Sequence, residues 1–159
     1  MCLSLGVGLW QDRDVRHVYH CPLRWADMDS LGHVNNVVYV DYLQEARVDM
    51  FAVHAPVTGG EELGEAVVVV RHEVEFLAPL VYRAEPVRIE TWVTRIRAAS
   101  FTMRYEILDE PDQPDSGGSR RVFARAATVL TPYVFAEERP RRIRPHEVEI
   151  LHRFLEPAP

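Results

Sequence analysis

The chain contains no lysine: all eighteen of its basic side chains are arginine. That excludes a Schiff-base lysine, a lysine general base and the Walker-type phosphate-binding lysine, and with them several large enzyme classes. Cysteine is scarce as well. Cys2 and Cys21 form no C-x-x-C pair and are too few for a disulfide framework, so a reducing compartment is expected and the protein reads as cytoplasmic. Excess positive charge is missing too: the formal net charge is −6, which leaves no global field to gather counterions from a phosphate backbone, so nucleic acid is not expected as a partner. The apolar run Leu3 to Trp10 has no basic segment before it and is too short to span a bilayer, so no membrane span is expected. Several catalytic signatures are also absent. His72-Glu73-Val74-Glu75 and His146-Glu147-Val148-Glu149 begin as H-E-x-x-H does, but neither has its second histidine, so no zinc site is expected. There is no G-x-S-x-G elbow and no G-x-G-x-x-G turn. Hydrolytic chemistry, if present, must come from carboxylates and histidine.

What the chain does hold is the composition of one soluble domain: 159 residues, 47% apolar and 26% charged. Residues 1–15 carry little pattern and read as an N-terminal extension to a single domain over 16–159. Arg16 to Trp25 suggests a first strand, which Pro22 makes an edge or irregular one. Val37 to about Val53 runs without Gly or Pro, with Tyr39, Tyr42, Leu43, Ala46 and Met50 on one face and Asp41, Glu45 and Asp49 forming an acidic stripe, which predicts a long, mostly buried helix. Ala66 to Ala78, Pro86 to Ile96, Ser100 to Leu108 and Arg121 to Thr131 read as strands, and Asp109 to Ser119 as a mobile hairpin loop. A short terminal helix is expected within Pro145 to Leu155, after the basic cluster Arg139, Arg141, Arg142 and Arg144. One strand, one long helix and four further strands imply an α+β domain with an antiparallel sheet wrapped around a helix. Its edge strands would favour edge-to-edge dimerisation.

The segment with chemistry in it is Asp27 to Asn36, where two carboxylates, a histidine and two carboxamides directly precede the buried helix. The first-turn N–H groups of that helix lack partners within it and sit at the positive end of its dipole, so they can bind a developing oxyanion. Gly32 lets the loop bend close, and a carboxylate a few residues earlier can approach the same carbonyl as nucleophile or as base. The plain alternative is that Asp and Asn here are caps and turn formers and His33 is solvated. The residues alone leave both readings open.

The stretch RWADMDSLGHVNNVVYVDYLQEAR, Arg24 to Arg47, resembles the 4-hydroxybenzoyl-CoA thioesterase family of hot-dog-fold acyl-CoA thioesterases in its D-x-D, its Gly before the helix, its Asn- and Tyr-rich helix opening and its E-x-R within the helix. Val67 to Val87 and Trp92 to Leu108 follow the same plan. The resemblance implies a hot-dog fold with a long central helix and a five-stranded antiparallel sheet. It implies Asp29 as the catalytic carboxylate, Asn36 as the residue whose backbone N–H polarises the thioester carbonyl, and Glu45 as the helix glutamate, with Asp27 a structural loop acid. Gly32 and Asn35 would flank the substrate. Asp29 and His33 also match the spacing seen in plant acyl-carrier-protein thioesterases, but Leu31 stands where their asparagine would be, so a single-carboxylate mechanism is expected, with His33 orienting substrate or loop. The family's basic run for the CoA phosphates is reduced to Arg97 before Ser100, with Arg95 nearby; arginines of the C-terminal cluster could substitute. The implied partners are an acyl-CoA or acyl-carrier-protein thioester and a second copy of the chain, in a homodimer or dimer of dimers with sites at the interface. No metal or redox cofactor is implied. Val70, Phe76 and Phe101 are expected in the acyl pocket. The rival functions are an enoyl-thioester hydratase and a non-catalytic acyl-thioester-binding module on the same fold.

Overall fold

A computed structural model of the chain describes residues 15–55, 63, 66–110 and 120–156. The expected N-terminal extension over 1–15 and most of the Asp109–Ser119 loop lie outside the described residues. The elements in order are β1 (His17–Cys21), a 3-10 turn (Trp25–Asp27), α1 (Asn36–His54), β2 (Val67–Phe76), β3 (Val87–Ile96), β4 (Phe101–Leu108), β5 (Val122–Val134), β6 (Arg139–Pro140) and α2 (Pro145–His152). Five strands form one antiparallel sheet in the order β1-β3-β4-β5-β2, and the two-residue β6 adds to the end of β5.

The sheet curls around α1 because α1 has one wide apolar face. Tyr39, Tyr42, Leu43, Ala46, Met50 and Phe51 are all buried, and they meet Ile89, Val93, Met103, Tyr105, Ile107 and Leu130 from the inner face of the sheet. Each fully buried side chain of this size is stabilised by roughly 1.5–3 kcal/mol relative to exposure. The acidic stripe Asp41, Glu45, Asp49 lies away from that face, as the spacing predicts. Phe101, expected in the acyl pocket, is instead 1% exposed and packs edge-on against Phe51 inside the core.

Pro22 follows directly on β1, which is an edge strand as expected. Pro132 shows the opposite pattern. The sequence reading ends this strand at Thr131, but β5 runs through Pro132 to Val134. Tyr133 N–H donates to Ala66 O on the β2 side, so the Pro132 nitrogen faces the other side, where β4 has already ended at the Phe101–Leu130 pair. No bond to β4 is lost there, and on the same side Arg141 N–H donates to Pro132 O from the β6 segment.

The chain ends on a second small anchor. Glu147 of α2 is fully buried and accepts from Arg141 Nη2 at 2.6 Å, Arg141 Nη1 at 2.8 Å and the Arg144 N–H at 2.7 Å. Ile143 N–H donates to Ala98 O, which seats the basic segment on the β3–β4 turn. Beyond α2, Val93 N–H donates to Phe154 O and Glu156 N–H donates to Val93 O, so the tail lies beside β3 just past the end of β1. Arg16 closes the arrangement: its guanidinium binds Glu156, Glu90 and Glu106 at 3.0–3.2 Å and lies 3.8 Å over the Trp92 ring.

Candidate active site

The loop between the 3-10 turn and α1 is tied down by its own sequence. Asp27 is 4% exposed and accepts from Tyr42 Oη at 2.6 Å, from the Arg24 N–H at 3.1 Å and from Arg24 Nε at 3.0 Å. Its carbonyl takes the Asn35 N–H at 2.9 Å, and Val34 N–H donates to Leu80 O at 2.8 Å, so both ends of the loop are fixed. Burial opposes the Asp27 charge, but the bonds from Arg24 and Tyr42 outweigh it and hold the carboxyl below its usual range. The same burial, together with the Asp27 charge on the partner side of the bond, pushes the Tyr42 phenol well up. Asp27 is thus the structural acid that the resemblance implies.

A carboxyl lowered by folding stabilises fully above its unfolded value near pH 4 and loses that contribution as pH falls through the folded value. The stability gap between the wild type and Asp27→Asn is therefore expected to be widest at neutral pH and to shrink below about pH 4. Thermal melting of both proteins across that range checks it; a gap that stays constant into acid would show that the charge of Asp27 contributes nothing.

Within the pinned loop Asp29 heads a tight turn. Its N–H donates to His33 O at 2.9 Å, its carbonyl takes the Gly32 N–H at 3.0 Å, and its Oδ1 takes the Leu31 N–H at 2.8 Å. Gly32 has φ +76°, a left-handed conformation that closes the turn and that glycine adopts without a steric penalty. The second oxygen, Asp29 Oδ2, has no hydrogen-bond partner among the described residues.

Asn35 is the N-cap of α1. Its side chain takes the Val37 N–H at 3.0 Å and its carbonyl the Val38 N–H at 2.9 Å, which leaves the Asn36 N–H as the uncommitted donor of the first turn. Asp29, His33, Asn36 and Tyr39 line one cleft of about 400 Å³, walled on its far side by Phe76, Leu77, Ala78 and Pro79 from the end of β2. Leu31, Phe76 and Leu77, all exposed, make its lining partly apolar. A residue with a free carboxylate oxygen and a residue with a free N–H at the positive end of a helix thus line one cleft.

The other expected site residues lie elsewhere in the protomer. Glu45 is exposed and lines a separate cleft of about 290 Å³ between β1 and α1, with Tyr19, Arg24, Asp41 and Gln44. Arg95, Arg97 and Ser100 are at the β3–β4 turn, closed by Arg97 N–H donating to Ser100 O at 2.8 Å. Arg142 is brought beside that turn by the Ile143–Ala98 bond, whereas Arg141 is spent on Glu147. Cys21 is buried and burial pushes its thiol up to about 12, which makes it inert as a nucleophile. Among the described residues, no three His, Cys, Asp or Glu side chains gather to hold a metal ion, and no helix is long and apolar enough to cross a membrane.

The model of the thioesterase-like superfamily matches residues 23–154 of the chain. The chain belongs to that superfamily. Among solved structures of the same fold, a candidate acyl-CoA thioesterase of Xanthomonas campestris is 34% identical, with a TM-score of 0.59 over 73% of this chain and 91% of that one. A predicted thioesterase of Bacillus stearothermophilus is 22% identical, with a TM-score of 0.75 over 91% of this chain and 99% of that one. A variant 4-hydroxybenzoyl-CoA thioesterase complexed with 4-hydroxybenzoyl-CoA is 20% identical, with a TM-score of 0.72 over 87% of this chain and 99% of that one. No curated protein sequence matches this chain significantly. The likenesses show the hot-dog fold, a long helix wrapped by a five-stranded antiparallel sheet, and membership of the thioesterase-like superfamily supports acyl-thioester hydrolysis as the general chemistry.

Proposed function

We propose that the protein is an acyl-CoA thioesterase in which Asp29 acts on the thioester carbonyl as nucleophile or as general base and the Asn36 N–H receives the developing oxyanion. The observation that carries this reading is that Asp29, with one carboxylate oxygen free of hydrogen bonds, and Asn36, with its N–H uncommitted, line the same cleft. As the carbonyl carbon becomes tetrahedral its oxygen gains charge at the helix N-terminus, where the donor needs no reorientation. Collapse of that intermediate breaks the C–S bond and releases the thiol. His33 borders the cleft and orients the substrate; Gly32 closes the turn that carries Asp29, and Asn35 caps the helix that presents Asn36. Glu45 lines a separate cleft of the same chain and is given no role in this step. Hydrolysis by a carboxylate and water needs no metal or redox cofactor.

The chain acts as a homodimer in this reading. β2 is an edge strand with Val69, Val70 and Phe76 exposed. Antiparallel pairing of two β2 strands about a two-fold axis sets the Val69 end of one beside the Phe76 end of the other. The Val69 end adjoins Leu130 and Phe101, next to the β3–β4 turn. The partner subunit's Arg97 and the partner subunit's Arg142 thereby come toward the cleft and meet the phosphates of CoA.

Free-thiol release from short, medium, long and aromatic acyl-CoAs tests the proposal. Turnover of at least one class is expected, with no change in the absorbance of an enoyl-CoA. Tight acyl-CoA binding by calorimetry with no thiol released from any of them would instead identify a binding module.

A further inference from the structure

Arg47 carries a charge where a charge is hard to keep. It projects from α1 onto the inner face of the sheet and is only 8% exposed, yet no ion pair among the described residues includes it. Its hydrogen bond is Nη1 to the Tyr105 hydroxyl at 3.3 Å, and Tyr105 is itself buried. Thr128 is fully buried and bonds His72 Nδ1 at 2.9 Å, and burial, then the nearby Arg47 charge, keeps the His72 imidazole below its usual range. The Arg47 Nε and Nη2 take no hydrogen bond among the described residues and are not sealed from solvent, so most of the donor fork is open to an anion.

The path to Arg47 starts in the cleft. Tyr39 and Phe76, which face each other there, have ring centroids 5.1 Å apart. From Tyr39 to Arg47 the helix advances about 12 Å at 1.5 Å per residue. From Phe76 to His72 the strand returns about 13 Å at about 3.3 Å per residue. The two walls therefore keep pace, and Leu43, Val74 and Ala126 lie between their ends. Val74 and its cross-strand partner Ala126 pack against the core but are only partly buried, so the inner edge of β2 is still reached by solvent there. An apolar strip thus joins the proposed reaction centre to a buried cation.

We infer that Arg47 recognises the far end of the acyl chain, and that the preferred substrates are medium-chain acyl thioesters ending in a carboxylate. The chain's methylenes would lie along Leu43, Val74 and Ala126, and its terminal carboxylate would take the open donors of the guanidinium, a planar fork matched to two carboxylate oxygens. His72 and Thr128 would complete the polar end. This rests on the thioesterase reading and adds the substrate class to it.

Matched thioesters that differ only in their far end test the inference: sebacyl-CoA against decanoyl-CoA, and adipyl-CoA against hexanoyl-CoA. The carboxylated member of each pair is expected to have the higher kcat/KM, by about tenfold or more. Arg47→Met should erase that preference mainly through KM, with decanoyl-CoA changed less than about threefold, and Arg47→Lys should restore part of it. Equal losses for both members of a pair in Arg47→Met, or no preference in the wild type, would overturn the inference and leave Arg47 a packing residue. Thermal melting of each variant is measured alongside. If Arg47→Met does not fold, competition of free sebacate against free decanoate in the wild type decides, with stronger inhibition by the dicarboxylate expected and equal inhibition overturning the inference. If no thioester is cleaved at all, the thioesterase reading fails, and calorimetric titration with the same two acids still answers: sebacate binding that Arg47→Met abolishes supports the anion site, and matching affinities for both acids refute it.

Discussion

Asp29→Asn is expected to lower kcat for thioester hydrolysis by roughly 10²–10⁴-fold while the protein melts as the wild type does. The carboxamide keeps an oxygen for the Leu31 N–H, so the turn that Asp29 heads survives; only the charge and the basicity of the second oxygen are lost. A loss confined to kcat is the signature of a group that acts in the transition state, because binding of the acyl chain along the cleft does not involve it. Nucleophilic attack expels the thiol and leaves a mixed anhydride that water must open, so label in the Asp29 carboxylate after a single turnover in ¹⁸O-labelled water shows that Asp29 attacks the carbonyl. Unchanged turnover in Asp29→Asn would remove Asp29 from the mechanism.

Far from the cleft, Glu147→Ala is expected to destabilise the protein by about 3–5 kcal/mol, the cost of leaving one member of a buried pair alone. The Arg141 side chain is 9% exposed and Glu147 1%, and the carboxylate also holds the Arg144 N–H at the start of α2. Its removal takes the buried carboxylate from the Arg141 guanidinium and the hydrogen bond from the Arg144 N–H together. Denaturant unfolding monitored by circular dichroism measures the change, and a double-mutant cycle with Arg141→Met isolates the pair. A loss below about 1 kcal/mol, the range of exposed ion pairs, would show that the anchor is solvated in solution.

Much of this was legible before any coordinates. The helix could be read because Tyr39, Leu43, Ala46 and Met50 repeat at helical spacing without a Gly or Pro to interrupt them, and α1 begins and ends one residue outside the expected span. The alternating strands β3 and β4 fall within a residue of their predicted limits for the same reason of period. Pro132 was misread because local propensity knows nothing of where the neighbouring strand stops. The structural role of Asp27 is not visible in the D-x-D spacing, since it depends on Tyr42, fifteen positions on, turning its hydroxyl back to the loop. Arg47 belongs to the E-x-R of the helix, and that motif does not mark it as buried. It stands one turn beyond Leu43 and three residues before Met50, on the apolar face of the helix, and that position was the available signal for a buried cation. Phe101 was assigned to the pocket because alternation tells which face a residue takes, not how deep along the strand the cavity reaches. The Arg141–Glu147 pair spans a turn and a helix start and has no sequence signature.

The two borders of the sheet are treated differently by the chain. Along one border the start of β1 and the tail beyond α2 are locked to each other, since Arg16 grips Glu156 across 140 positions and the tail bonds to β3 where β1 stops. That border cannot fray from one end; the first strand and the last residues must leave together, so its amides are expected to open as one cooperative unit. The β2 border has no such clasp among the described residues. Local opening is therefore expected to start at the β2 border, and its amides to exchange before those of the clasped border.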